Sequence, residues 1–139
     1  GVVVPDQRKP ARKFRELPFD EVAVLLDDEH HECRLTALLI LTEKYSREKT
    51  ESGRVAINEF YLSHLDRVNN WDLVDSSAHK ILGAELVRTG RYEELDELAE
   101  SGHLWRERVA VIATLALIKN ATGKYNYQRS HTARQVADK

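Results

Sequence analysis

Hydrophobic residues recur at helical spacing through most of the chain. In residues 18–26 they fall at positions i, i+3, i+4 and i+7, which are Phe19, Val22, Ala23 and Leu26. This spacing places side chains on one face of an α-helix. The same pattern continues along the chain and predicts short and long helices in alternation, with a turn at Asp27-Asp28. The predicted pairs are 18–26 with 29–45, 54–67 with 71–89, and 92–99 with 103–119.

The helix predicted over residues 71–89 contains one residue that breaks its pattern. Asn70 is a good N-cap and Gly90 a good C′ residue, so both ends are marked. One face of this helix carries Val74, Ala78, Ile81 and Leu82. Asp75 falls within that apolar arc. A carboxylate that breaks the pattern with no visible compensation indicates a functional site.

The spacing of the helix pairs predicts the fold class. The longer helices start near residues 29, 71 and 103, a period typical of helical-repeat arrays, and three repeats are about the minimum for stability. We therefore expect an all-α, HEAT-like solenoid whose inner helices line a concave surface. The repeat domain is predicted over residues 1–120. Apolar periodicity disappears from Ala121, so residues 121–139 are expected to form a polar tail that is weakly helical or mobile.

Length and composition indicate the size of this domain and the cellular compartment in which we expect it. The chain has 139 residues, enough for one moderate core, and no apolar run approaches the roughly 18 residues that cross a bilayer. Cys33 is the only cysteine, so no intramolecular disulfide can form, and a cytoplasmic location is expected. We expect a monomer that does not bind membranes. The chain has no methionine and begins with Gly1, so a fragment of a longer reading frame is expected.

Charge argues against binding nucleic acid through bulk basicity, because the net charge is −2. A local cluster is needed instead, since affinity for phosphate depends on where the cations lie. The densest such cluster is near the N-terminus and consists of Arg8, Lys9, Arg12, Lys13 and Arg15. It has two interpretations: a solvated helix face, or a set of phosphate contacts.

Metal and cofactor chemistry find little support in the sequence. His30, His31, Glu32 and Cys33 are consecutive, so on a helix they point to different sides and cannot jointly bind a metal. The chain has no glycine-rich phosphate loop and no nucleophile elbow. We expect no metal and no cofactor.

Trp71, Asp75 and Arg108 are the candidates for chemistry, although each has an ordinary structural explanation. Trp71 could be a core residue, and Asp75 a buried carboxylate bonded to a neighbouring donor. A structural salt bridge from Asp75 to Arg108 on the next repeat would account for two of the three. The residues alone leave the structural and the functional interpretations open.

Four stretches of the chain resemble the AlkD-like DNA alkylation repair glycosylases, over about residues 1–119. They are Val3-x-Pro5-Asp6-x-Arg8, His31-Glu32-x-Arg34-Leu35-x-Ala37-Leu38, Asn70-Trp71-Asp72-x-Val74-Asp75 and Leu104-Trp105-x-x-Arg108-x-Ala110. By position, the resemblance implies that Asp75 is the catalytic aspartate, Trp71 the aromatic residue at the lesion and Arg108 the active-site arginine. It also implies DNA contacts at Arg34, Trp105 and the N-terminal cations Arg8, Lys9, Arg12 and Lys13.

The resemblance implies a HEAT-like enzyme of base-excision repair that removes N3- or N7-alkylated purines from double-stranded DNA without metal or cofactor. Family members continue for several more helices, with a further active-site tryptophan in a Gly-Trp-x-x-Arg stretch. Nothing similar follows Asn120, so we expect a truncated member. Two alternatives are a DNA-binding module that hydrolyses nothing and a helical-repeat scaffold for a protein partner.

Overall fold

The computed structural model describes residue 14 and residues 16–126, with side chains described up to residue 120. Its helices are α1 (Phe19–Asp27), α2 (His31–Arg47), α3 (Glu51–Ser63), α4 (Trp71–Ser77), α5 (Ala84–Thr89), α6 (Glu93–Ala99) and α7 (Leu104–Asn126). A 3-10 turn at Leu65–Arg67 follows α3, and a π-helical turn at His79–Gly83 joins α4 to α5. These residues contain no strand, which confirms the all-α prediction.

The long helices lie side by side in chain order. α2 packs against α1, α3 and α4, whereas α4 and the π-helical turn pack against α7, and α7 packs against α6. The short helices α1 and α6 therefore each pack against the long helix that follows, α2 and α7, and α3 packs against α2 and the π-helical turn. This arrangement is the helical-repeat fold that the period of the hydrophobic pattern predicts.

Several predicted boundaries differ from the structure, including the start of α3, which is Glu51 rather than residue 54. α2 begins at His31 rather than near residue 29, because residues 28 and 30 are extended. The helix predicted to reach residue 67 ends at Ser63, and the 3-10 turn follows it. α7 extends to Asn126, past the predicted end at residue 119, because propagating a formed helix costs far less than nucleating one. The rest of the predicted tail, residues 127–139, lies outside the described residues, as does nearly all of residues 1–15.

The core is centred on the apolar face that the sequence predicts, which runs along α4 and the π-helical turn. Val74, Ala78, Ile81 and Leu82 are fully buried, which confirms that face. α2 contributes the longest buried run, made of Leu35, Ala37, Leu38, Leu39, Ile40 and Leu41. The central position of α2 between three other helices explains why it is covered on several sides. No helix among residues 16–126 is long and apolar enough to span a membrane.

The backbone geometry requires glycine at two positions, the end of the π-helical turn and the end of α5. Gly83 closes the turn with a hydrogen bond from its N–H to the Ala78 carbonyl, 2.8 Å away. A Cβ at Gly83 would lie 2.6 Å from the Ala116 Cβ and 3.1 Å from the Ala113 carbonyl oxygen, so Gly83 allows the close approach of α7. Gly90 ends α5 in the left-handed region at φ 71°, as its predicted role as C′ residue requires.

Candidate functional site

The N-terminus of α4 positions the candidate site. The Asn70 side chain accepts a hydrogen bond from the Asp72 N–H at 2.9 Å, which confirms the predicted N-cap. Trp71 is the first helical residue, and 59% of its surface is exposed. The interpretation of Trp71 as a core residue is therefore wrong. An indole this exposed at a helix terminus has its ring available for a partner outside the fold.

Asp75 and Arg108 form a bidentate ion pair between α4 and α7. The Arg108 Nε donates to Asp75 Oδ1 at 3.0 Å, and Nη2 donates to Oδ2 at 2.8 Å. The Asp75 side chain is 33% exposed and that of Arg108 43%. The salt bridge considered from the sequence is thus present, and it lies open to solvent. It links the second and third helix pairs.

The ion pair leaves chemical capacity on both partners. A guanidinium has five N–H donors, and pairing with Asp75 engages donors on two of its three nitrogens. Hydrogen bonding and charge from Asp75 raise the pKa of Arg108 above its ordinary value, so it stays a cation at any working pH. Trp71 and Asp75 are four residues apart on one helix, and side chains at that spacing are neighbours on a helix face. An exposed aromatic ring, a carboxylate and a cation therefore lie together on one surface.

Arg34, in α2, contacts the segment that precedes α4. Its Nη1 donates to Asn69 Oδ1 at 3.0 Å, and its Nε donates to the Asp28 carbonyl at 2.7 Å. Next to it, His31 Nε2 and Asp72 Oδ2 are 3.0 Å apart. These contacts fix the segment before Trp71 onto the start of α2. The sequence motifs contain His31, Arg34 and Asp72 but not Asp28 or Asn69, and the spacing of the motifs gives no sign of these contacts.

The other predicted DNA-contacting residues are divided between the described and undescribed parts of the chain. Trp105 is half-buried and packs against the core, so it supports α7 more than it presents a free ring. Arg8, Lys9, Arg12 and Lys13 lie outside the described residues. The structure brings Trp71, Asp75 and Arg108 together, and it places Arg34 at the edge of the same surface.

Two buried polar residues that join α3 to α4, Tyr61 and Ser77, were not predicted from the sequence. Ser77 is fully buried and donates to the Leu73 carbonyl at 2.6 Å, so its single proton is used there. The Tyr61 hydroxyl, 2.8 Å from Ser77 Oγ, must therefore be the donor in that contact. This bond fixes α3 against α4 two residues after Asp75. Because Tyr61 and Ser77 lie on two different helices, 16 residues apart in the chain, no local sequence pattern reveals their contact.

His79 begins the π-helical turn one helical turn beyond Asp75. Burial lowers its pKa, and the nearby charge of Lys80 lowers it further, against the opposing effect of a hydrogen bond to the Asp75 backbone. The ring is therefore neutral at pH 7. It adds no positive charge that would compete with Arg108 for Asp75.

Residues 30–33 are not all helical, although the expectation that they cannot jointly bind a metal required it. His30 instead precedes α2, with φ −79° and ψ 130°. That premise is therefore wrong for His30, while the expectation that the protein needs no metal stays a prediction.

Comparison with known proteins gives one match. The family model described as a DNA alkylation repair enzyme matches residues 1–138. No curated protein and no solved structure matches the chain. Because the match spans nearly the whole sequence, including the helices that carry Trp71, Asp75 and Arg108, this chain belongs to the DNA alkylation repair enzyme family.

Proposed function

We propose that the chain is a DNA glycosylase of base-excision repair that hydrolyses the N-glycosidic bond of N3- or N7-alkylated purines in duplex DNA. Membership of the DNA alkylation repair enzyme family gives it a role in DNA repair. The glycosylase reaction and the purine substrate are the proposed additions. The observation that supports them is the exposed Asp75–Arg108 pair one helical turn from the exposed Trp71.

Hydrolysis of this N-glycosidic bond requires few catalytic groups from the protein. Alkylation at N3 or N7 makes the purine cationic, so the base leaves as a neutral molecule and no general acid has to protonate it. The carbon–nitrogen bond breaks with its electron pair going to the base, and the deoxyribose becomes oxocarbenium-like. A fixed anion beside that cation stabilises the transition state. Water then adds to the sugar carbon and loses a proton to a base.

Asp75 suits both remaining tasks. One carboxylate can stabilise the sugar cation and accept the proton of the attacking water. Its position at the solvent-exposed edge of α4 allows a nucleotide to approach it. The bidentate contact with Arg108 fixes the orientation of the carboxylate, which removes the need to order it during the reaction.

Trp71 and Arg108 would position the substrate. The cation–π interaction of an indole face with a cationic base or sugar contributes about 0.5–2 kcal/mol, depending on how completely the site is desolvated. Arg108 can bind a DNA phosphate through donors that Asp75 does not engage, since a guanidinium fork matches phosphate geometry. Arg34 would add a backbone contact at the edge of the site.

The direct test measures release of alkylated base from methylated duplex DNA. We expect release by the wild-type chain and a loss of about 100-fold or more in Asp75→Asn, since general-base and charge terms of this size are typical. Asn keeps the shape of the side chain and an oxygen that accepts from Arg108. Asp66→Asn, at the exposed residue of the 3-10 turn, is the matched control and should retain full activity.

A folded wild-type chain that releases no base would overturn the glycosylase proposal. The two alternatives then separate by salt dependence. Binding of DNA that weakens steeply with salt, by about 0.9 in the log–log slope for each phosphate contacted, would indicate a binding module. No binding of DNA would indicate a scaffold for a protein partner.

A further inference from the structure

Three side chains with metal-binding atoms converge at the junction of α1 and α2, away from Asp75. They are Asp28, His30 and Cys33, and one ligand atom of each lies within 4.8 Å of the other two. Asp28 and His30 have extended backbones, whereas Cys33 lies in the first turn of α2. The change from extended to helical backbone directs all three side chains to the same side.

The distances fit a small tetrahedral site. Zinc binds carboxylate oxygen and imidazole nitrogen at about 2.0–2.2 Å and thiolate sulfur at about 2.3 Å. Neighbouring ligand atoms around such an ion are then about 3.3–3.8 Å apart by tetrahedral geometry. His30 Nδ1 and Asp28 Oδ1 are now 2.7 Å apart in a hydrogen bond, so binding requires that pair to open by less than the length of a bond.

The ligand set selects a class of metal. One sulfur, one nitrogen and one oxygen ligand suit zinc better than magnesium or calcium, which prefer oxygen alone. The surrounding sequence, Asp27 to Glu32, adds further carboxylates and favours a cation. His30 and Asp28 are exposed enough for an ion to enter, with 69% and 39% of their side-chain surface open to solvent.

The helix cap does not compete with this site. The Asp28 Oδ1 accepts the His30 N–H at 2.8 Å, which holds the start of α2. A carboxylate has about four lone-pair positions on two oxygens, so it can cap the helix and bind a cation together. Many zinc ligands accept a second contact of this kind, which orients them.

We propose that Asp28, His30 and Cys33 form a zinc-binding site with three protein ligands and one open position. Binding displaces the thiol proton of Cys33 to solvent and uses the neutral form of His30. The next residue, Arg34, donates to the Asp28 carbonyl and to Asn69. An ion at this site would therefore stiffen the junction that supports the segment before Trp71. The proposal is independent of the glycosylase reaction.

Titration of the apo protein with cobalt tests the site. Cys33 is the only cysteine, so a sulfur-to-cobalt charge-transfer band can come from no other residue. We expect this band to saturate at one cobalt per chain and to disappear when zinc is added. Zinc should also raise the melting temperature of the wild-type chain, because a ligand that binds the folded state stabilises it.

Variants decide whether all three ligands take part. Cys33→Ser should abolish the band, while His30→Ala and Asp28→Asn should each weaken zinc binding about tenfold or more. Asp28→Asn retains an oxygen that can cap α2, so loss of the fold cannot explain its effect. His103→Ala, at an exposed histidine before α7, is the control and should bind as the wild type does.

Two results would overturn the proposal. One is a folded wild-type chain that gives no charge-transfer band with excess cobalt. The other is a band that survives both His30→Ala and Asp28→Asn at unchanged affinity, because the metal would then be held by the thiol and solvent alone.

Discussion

Arg108 binds both carboxylate oxygens of Asp75 across the boundary between two helix pairs, at 3.0 Å and 2.8 Å. Both side chains remain partly open to solvent. An exposed ion pair contributes little to stability, since water screens it and two long side chains lose freedom to form it. Its bidentate geometry matters more for orienting the carboxylate, and this distinction can be measured.

Arg108→Lys tests orientation separately from charge. Lysine keeps the positive charge but cannot form the two parallel hydrogen bonds, so we expect base release to fall by at least about tenfold. The melting temperature should change little. Equal activity of Arg108→Lys and the wild type would contradict a role for the bidentate geometry.

Arg108→Gln tests the phosphate contact. Removing one cation that binds a phosphate should reduce the log–log salt slope of DNA binding by about 0.9. Arg106→Gln, two residues earlier on α7, serves as the matched control for the loss of one arginine. An unchanged slope in Arg108→Gln would show that Arg108 serves Asp75 alone.

Trp71→Ala should separate function from folding. Because Trp71 is mostly exposed, its removal should leave the melting temperature nearly unchanged. Stacking of a base on an aromatic ring contributes about 1–3 kcal/mol, so affinity for alkylated DNA should fall about 5- to 150-fold.

Trp105→Phe provides both the control and a reporter. It leaves Trp71 as the only tryptophan, so its fluorescence should change when alkylated DNA binds. Trp105→Ala, at a half-buried site against the core, should instead lower the melting temperature. Fluorescence of Trp71 that does not respond to saturating DNA would exclude it from the interface.

Gly83→Ala tests the close contact of the π-helical turn with α7. The added methyl group would meet the Ala116 Cβ at 2.6 Å and the backbone of Ala113, so α7 must move. Overpacking of this kind costs about 1–3 kcal/mol in the free energy of unfolding, measured by urea denaturation. The displacement of α7 should also weaken the Asp75–Arg108 contact and lower base release.

Gly53→Ala is the matched control for Gly83→Ala. The atoms nearest to its Cβ would belong to the flexible Glu48 side chain, which can turn aside. Alanine favours helix over glycine by about 1 kcal/mol, so this variant should be neutral or slightly more stable. Equal destabilisation by both variants would mean that the contact with α7 is not the cause.

A buried cluster around Glu85 of α5 predicts a dependence of stability on pH. Glu85 accepts hydrogen bonds from Tyr45 at 2.7 Å and from Arg88 at 3.0 Å and 2.6 Å. Burial raises the pKa of Glu85, but these hydrogen bonds and the Arg88 charge outweigh it and hold the pKa below its ordinary value of 4.5. Burial and Glu85 together raise the pKa of Tyr45 to about 12, so Tyr45 remains a donor at neutral pH.

The sign follows from the lowered pKa of Glu85. The ionised carboxylate stabilises the folded state fully above pH 4.5, and that contribution is lost as the pH falls through the lower folded value. Glu85→Gln should therefore melt below the wild type at pH 7, with the difference shrinking in acid. Glu51→Gln removes the other Arg88 partner, which is 85% exposed, and should change the melting temperature little at any pH. A constant difference between Glu85→Gln and the wild type from pH 7 to pH 3 would contradict the assignment.

Most of the fold can be predicted from the sequence because the helices follow from the spacing of apolar residues that are close together in the chain. The face made by Val74, Ala78, Ile81 and Leu82 requires only the period of a helix, and all four residues are buried. The π-helical turn within this face was not predicted, because the spacing of the apolar residues is compatible with an uninterrupted α-helix as well as with a single π-helical turn. The ends of α2 and α3 also depend on caps and turns that compete over a few residues.

The candidate site is less predictable because its contacts join distant segments. Asp75 and Arg108 could be proposed as partners, since each is a charge on an apolar stripe in a neighbouring repeat. The exposure of Trp71 depends on which helices cover α4, and the pairing of Arg34 with Asn69 depends on how α2 meets the preceding turn. The cytoplasmic location, the monomeric state and the division at residue 120 remain predictions.

The ion pair between α4 and α7 also has a consequence for the order of events during synthesis. Arg108 lies 33 residues after Asp75 in the chain, so it leaves the ribosome later. In a helical-repeat protein, folding can begin in one repeat and propagate to the next. The helix that carries Asp75 can therefore dock on α2 before Arg108 has left the ribosome, and the carboxylate becomes fixed only when α7 packs against α4. Competence for the proposed reaction would thus be acquired only when α7 docks, after the first two helix pairs have folded.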